Sequence, residues 1–170
     1  DDLIGSMVAK WKDEAHITVV SGDKDLLQIL NPQTRIAFTK KGYTEYEVYT
    51  DERFREEYGI EPLQFTDVKA FMGDSSDGYP GVKGIGPKTA LQLIQAHSSI
   101  DGVLEAIETL KPAQRKKIEE NLDMLRLSRQ LAAIDMSQPI DADLEALIVK
   151  PYEASTIARI EEVGYRLISK

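Results

Sequence analysis

A chain of 170 residues with 42% hydrophobic content can bury one sizeable core, or a core with a small helical appendage. No apolar run approaches the ~18 residues of a membrane span, no signal-peptide pattern opens the chain, and the lack of cysteine excludes disulfides and thiolate metal sites, which suits a reducing, cytoplasmic setting. The net charge of −8 argues at first sight against a nucleic-acid partner, but acids clustered around bound cations would leave the remainder nearly balanced, so charge alone excludes nothing.

Asp1-Asp2 opens a helix whose Leu3, Ile4, Met7, Val8 and Trp11 recur at helical spacing on one face. Acids in a first turn are ordinary partners of the helix dipole. No initiator Met stands before this helix, and the expectation is that an N-terminal part of a larger domain lies outside the chain. His16–Ser21 is an apolar, β-branched run that reads as a buried parallel strand. It runs into Gly22-Asp23-Lys24-Asp25 and the helical pattern of Leu26, Leu27, Ile29 and Leu30. Aspartates at the carboxyl end of such a strand sit where open α/β sheets hold their ligands. Capping explains one of the two, but like charges two residues apart repel unless a cation lies between them.

Arg35–Thr39 and Tyr43–Tyr49 flank Lys40-Lys41-Gly42 as a hairpin. Thr50-Asp51 starts a short helix closed by Gly59. Pro62 opens another, with Leu63, Val68, Phe71 and Met72 as core. It leads directly into Gly73-Asp74 and Asp77.

The stretch Gly81-Val82-Lys83-Gly84-Ile85-Gly86 then passes through Pro87 into an amphipathic helix carrying Lys88 and Thr89. Glycines admit positive φ and leave backbone N–H groups open to an anion. Pro87 at a first helical position exposes the unpaired N–H groups of the next turn, at the positive end of the helix dipole. Beyond it the chain reads as consecutive helices, Ile100–Leu110, Pro112–Asn121 and Leu122–Ile134, with Val103, Leu104, Ile107, Ile118, Leu122, Leu125, Leu127 and Leu131 as core. Arg115-Lys116-Lys117 reads as a solvated face, with a course along a duplex as the alternative. Leu147-Ile148-Val149 is expected as a short strand and Tyr152–Val163 as a last helix. His16 and His97 have no partner at catalytic or metal spacing and are taken as structural.

Three aspartate pairs, Asp1 with Asp2, Asp23 with Asp25 and Asp74 with Asp77, thus lie at element ends or in adjoining loops. Oxygen-only clusters suit Mg²⁺ or Mn²⁺. A phosphate-gripping turn directly after the third pair points to two-metal hydrolysis of a phosphodiester, the ions ~3.5–4 Å apart.

The string V-x-G-I-G-x-K-[TS]-A, here Val82 to Ala90, resembles the helix-hairpin-helix motif that grips a nucleic-acid backbone without reading bases. Together with D-D-L-I-G at the start, S-G-D-K-D-L-L-Q-I-L at Ser21–Leu30 and G-D-S-S-D-G-Y-P-G-V-K-G-I-G-P-K-T-A at Gly73–Ala90, it is similar to the 5′-3′ exonuclease domain of bacterial DNA polymerase I and, more broadly, to the flap endonuclease family. The resemblance implies an α/β chain: a partial parallel-sheet nuclease core of the PIN-like 5′ nuclease kind over 1–72, a metal-site loop and helical DNA-binding lobe with a helix-hairpin-helix over 73–135, and a return segment over 136–170 packing on the core. It implies Asp1, Asp23, Asp25 and Asp74 as metal ligands, with Asp2 and Asp77 contributing directly or through water. Val82, Lys83, Gly84, Ile85, Gly86, Lys88 and Thr89 would hold the duplex backbone, with a monovalent cation such as K⁺ on the hairpin carbonyls. The implied substrate is DNA with 5′ ends or flaps, cut in replication and repair, and no protein partner is inferable.

Two departures stand out. Gly78 occupies a position where the family usually has Asn. The family's acids on earlier strands and its basic helical arch have no counterpart in this chain, so the chain alone is expected to bind duplex weakly and to cleave poorly. The alternatives are a non-catalytic duplex-DNA-binding module that uses the hairpin, and a phosphohydrolase of small molecules, which leaves the hairpin unexplained.

Overall fold

The β-branched run at Ile17–Ser21 forms β1 and pairs parallel with β2 (Thr34–Thr39), placing Val19 opposite Ile36 and Ser21 opposite Phe38. β3 (Tyr46–Tyr49) runs antiparallel to β2, with Ile36 opposite Tyr49, so the sheet order is β1-β2-β3. The computed structural model describes residues 1–40, 45–151 and 153–162, and most of the expected hairpin turn, with Tyr43 and Thr44, lies outside them. β2 is the central strand and buries Thr34, Ile36, Ala37 and Phe38. β1 departs from the expectation of a buried strand: Val19 is buried but Val20 is 58% exposed. It is an edge of the described sheet, and one of its faces packs on the core.

The chain divides into two compact units, Asp1–Pro139 and Ile140–Lys170. In the first, α1 (Asp2–Trp11) buries Gly5, Ser6, Val8 and Trp11, and leaves Leu3 and Met7 exposed against expectation. The reason is the segment after the last helix of this unit. Ser6 Oγ donates to Asp135 O at 3.2 Å and accepts from Gln138 N at 2.9 Å, and a Cβ on Gly5 would come within 2.6 Å of Ile134. That contact draws the buried face toward Gly5-Ser6.

A 3₁₀ segment, Lys24–Ile29, stands where a helical pattern was expected and buries Leu26, Leu27 and Ile29. α2 (Asp51–Tyr58) starts at Thr50, whose hydroxyl accepts from Arg53 N, and ends at left-handed Gly59. The turn Pro62–Gln64 is also 3₁₀, so Pro62 rather than Leu63 faces the core, and Leu63 is 64% exposed. α3 (Phe65–Met72) is buried nearly all round, with Val68 and Phe71 in the core as expected.

α4 (Pro87–His97), α5 (Ile100–Glu105), α6 (Pro112–Glu119) and α7 (Leu122–Ala132) follow, with a 3₁₀ turn at Ile107–Thr109. Val103, Ile118 and Leu125 are fully buried, and Leu104, Ile107 and Leu122 pack against the core. Leu127 and Leu131 are exposed instead of buried. α7 turns Leu125, Ser128 and Ala132 inward, because it lies against α3 and the glycine loop, where a small side chain is needed. Buried Gln28 ties the end of α7 to the first 3₁₀ segment: its amide donates to Ala132 O at 2.8 Å and its carbonyl accepts from Thr66 Oγ1 at 2.7 Å.

In the second unit a 3₁₀ turn at Glu145–Leu147 takes the place of the expected strand, and Val149 is 93% exposed. α8 is Ala154–Glu162; the expected ends of that helix, Tyr152 and Val163, lie outside the described residues. No helix among the described residues is long and apolar enough to cross a membrane.

Candidate metal centre and phosphate-binding loop

β1 delivers the chain to Asp23 in extended conformation, and Asp23 caps the following 3₁₀ segment by accepting from Asp25 N at 2.9 Å. Leu26 and Leu27 anchor that segment in the core, so Asp25 is held buried at its start. The second arm comes from α3. After Met72 the backbone turns at Gly73 and folds back against Gly81, so closely that a Cβ on Gly73 would lie 2.5 Å from Pro80 C. Between them the loop is pinched by two backbone bonds, Asp74 N to Tyr79 O at 2.8 Å and Tyr79 N to Asp74 O at 3.1 Å. Ser128 Oγ on α7 accepts the buried Gly81 N–H at 3.1 Å.

This folding brings Asp25, Asp74 and Asp77 together, with one carboxylate oxygen of each within 4.8 Å of the others. Gly22, Asp23, Lys24, Met72 and Ser76 line the same open groove, so Asp23 is at its rim. Asp1 and Asp2 are not members of the cluster. Asp1 is the N-cap of α1, and Asp2 accepts from Asp135 N at 3.0 Å.

Lys69, which the sequence reading passed over, lies between the acids. Its ammonium is 2.6 Å from Asp25 Oδ1 and 2.5 Å from Asp74 Oδ2, and its side chain is buried. Burial works against the Lys69 charge, but the two carboxylates outweigh it and hold its pKa above the ordinary lysine value. Asp74, hydrogen-bonded by Lys69 and by the hydroxyl and N–H of Ser76, is held well below the usual carboxylate range. Asp25 moves the other way: burial raises it, and Lys69 offsets this only in part. The donor set is carboxylate alone, the chemistry of a hard divalent cation.

The glycine stretch continues directly from this loop. Val82 and Ile85 are buried and anchor it, Val82 N bonding to Phe71 O at 2.9 Å and Ile85 N to Val82 O at 3.0 Å. Lys83, Gly84, Gly86 and Lys88 face solvent between and beyond these anchors, with Thr89 half-buried. Gly84 has φ +82°, and its carbonyl accepts from Lys117 Nζ of α6 at 2.8 Å. α4 begins at Gly86 without a side-chain cap, so its first N–H groups remain unclaimed by any cap. Arg115 pairs with Glu108 and Glu119, and Lys116 with Glu120, as a solvated face would; Lys117 differs because its described partner is a carbonyl.

Residues 60–155 match the family model described as 5′-3′ exonuclease, C-terminal SAM fold. The chain belongs to this 5′-3′ exonuclease family. Among curated relatives it is 48% identical over 145 residues to the 5′-3′ exonuclease of Bacillus subtilis (strain 168), covering 85% of this chain and 49% of that protein. It is 37% identical over 169 residues to DNA polymerase I of Bacillus caldotenax, covering 98% of this chain and 19% of that one. The chain therefore spans about half the length of the first relative and about a fifth of the second. Bacteriophage T5 5′-exonuclease with bound divalent zinc aligns with a TM-score of 0.65 at 23% identity, over 79% of this chain and 49% of that one. The T5 flap endonuclease in a complex with DNA and metal ions aligns at 0.62 and 23%, over 79% and 48%. These alignments show the 5′-nuclease fold that the sequence motifs led us to expect.

In this exonuclease-family chain, sequence reasoning missed Lys69, Ser128 and Tyr79, and took Lys117 only as part of a basic face. Lys69 alone left a usable signal: it is a lysine flanked by apolar Val68, Ala70 and Phe71, five residues before Asp74.

Proposed function

We propose that this chain supplies the metal-binding and duplex-gripping part of a divalent-metal-dependent 5′ nuclease, acting on DNA with 5′ ends or flaps. The observation that carries the reading is the convergence of Asp25, Asp74 and Asp77 in a loop continuous with an anchored glycine turn. Mg²⁺ or Mn²⁺ on these acids, with Asp23 and then Asp1 and Asp2 completing a two-ion set, would activate water and stabilise the leaving oxygen. The T5 homologue with bound divalent ions and the T5 complex with DNA support the same reading.

The chain's own residues do the rest. Lys69 neutralises part of the acid cluster and fixes the directions of Asp25 and Asp74. The backbone of exposed Gly84 and Gly86 and the uncapped start of α4, with Lys83, Lys88 and Thr89 beside them, bind phosphate without reading bases. Val82 and Ile85 hold that surface in place from beneath. A K⁺ ion at the hairpin would use carbonyls other than that of Gly84, which Lys117 already occupies.

The test is cleavage of a 5′-labelled flap DNA by the complete gene product carrying this chain, with and without Mg²⁺, beside Asp74→Ala. Mg²⁺-dependent product from the native protein and none from the variant is the expected result. Absence of any Mg²⁺-dependent product from the native protein sinks the nuclease reading and leaves the duplex-binding module.

A further inference from the structure

Tyr79 sits inside the Asp74–Tyr79 loop and is 2% exposed, yet its hydroxyl has no hydrogen-bond partner; among the described residues no other buried side-chain polar atom is left so. A buried hydroxyl without a partner is destabilising, and one that persists calls for a water or an ion that satisfies it. A phenylalanine would fill the same volume without that penalty. The backbone of Tyr79 is fixed by its two bonds to Asp74, and Pro80 follows. The charged groups that act on the hydroxyl are Lys69, Asp25, Asp74 and Asp77, which together are the acid cluster and its internal cation.

Lys69 holds Asp25 Oδ1 and Asp74 Oδ2, and Ser76 holds Asp74 Oδ1. The oxygens of Asp25 and Asp74 that the ammonium now holds are the ones that would be offered to a divalent ion, and their turning toward it would change the acceptors near the hydroxyl. Resting on the metal centre proposed above, we infer that Tyr79 is a positioning residue for that ion: its hydroxyl donates to a ligand carboxylate, or to water held at the site, when the ion is bound. Such outer partners orient ligands and tune affinity.

The experiment compares native chain and Tyr79→Phe, with Mn²⁺ as probe, by titration calorimetry and by thermal unfolding in chelator and in Mn²⁺. The variant should bind Mn²⁺ about tenfold more weakly while its Tm in chelator is equal to or above that of the native chain. An unchanged Mn²⁺ Kd overturns the inference. So does a lower Tm in chelator, or loss of folding there, because either means that the hydroxyl has a partner in the ion-free protein. If the native chain itself binds no Mn²⁺, the metal centre fails as well, which separates that failure from failure of Tyr79 alone.

Discussion

The Lys69 ammonium meets the Asp25 carboxylate at 2.6 Å, with side chains 7% and 10% exposed, and the same ammonium reaches Asp74 on the adjoining loop. One cation thus joins the end of β1 to the end of α3, the two arms of the acid site. Removing one member of a buried pair leaves the other uncompensated, a loss of roughly 3–5 kcal/mol. Lys69→Met should destabilise the metal-free chain by about that amount. A divalent ion can replace the missing charge, so Mn²⁺ should raise the variant's Tm by more than it raises the native chain's. Thermal unfolding in chelator and in Mn²⁺ reads both effects; an equal rise in the two proteins would count against a shared cation position.

The glycine turn takes a contact from another helix. Gly84 at φ +82° lies beside Lys117, whose Nζ would lie 3.0 Å from an added Cβ. Gly84→Ala should lower stability by about 1–2 kcal/mol through backbone strain and crowding. Lys117→Met should leave the fold intact, weaken duplex binding, and reduce the slope of log affinity against log salt by about 1. Fluorescence anisotropy of a labelled duplex over a salt series measures this. An unchanged slope would place Lys117 away from the DNA.

Ser128 has a narrower task. It accepts the buried Gly81 N–H where the chain returns past Gly73. Ser128→Ala leaves that donor without a partner and should cost about 1–2 kcal/mol, measured as a shift in denaturant midpoint at unchanged m-value. Because the loop carries Asp74 and Asp77, Mn²⁺ affinity should fall alongside stability.

Tyr49 makes stability depend on alkaline pH. Burial, then its hydrogen bond to Glu57 at 2.7 Å, pushes its hydroxyl up to about 12 from an ordinary value near 10. The folded state holds the proton more tightly, so the contribution is complete below about pH 10 and is lost as pH rises from there to about 12. Unfolding free energy measured across that window should fall by about 1–3 kcal/mol more in the native chain than in Tyr49→Phe. Parallel profiles would show that Tyr49 titrates normally.

Local chemistry was legible in the sequence wherever one residue acts on its own backbone. Thr50 and Gly59 delimit α2, Pro87 opens α4, and the β-branched run at Ile17–Ser21 forms a strand, because capping, fixed φ and χ1 restriction need no distant partner. Residue type at Asp25, Asp74 and Asp77 suggested cation chemistry, but their convergence comes from the fold. What the folded chain alone decided is which groups from distant segments share space. α7 carries two apolar stripes, and the need for a small side chain against the Gly73–Gly81 backbone turns Ser128 inward and Leu127 and Leu131 outward. Lys69 between Asp25 and Asp74, Lys117 on the Gly84 carbonyl, and Asp2 bound to the Asp135 amide are likewise contacts between remote residues, set by packing and charge compensation rather than by any local pattern.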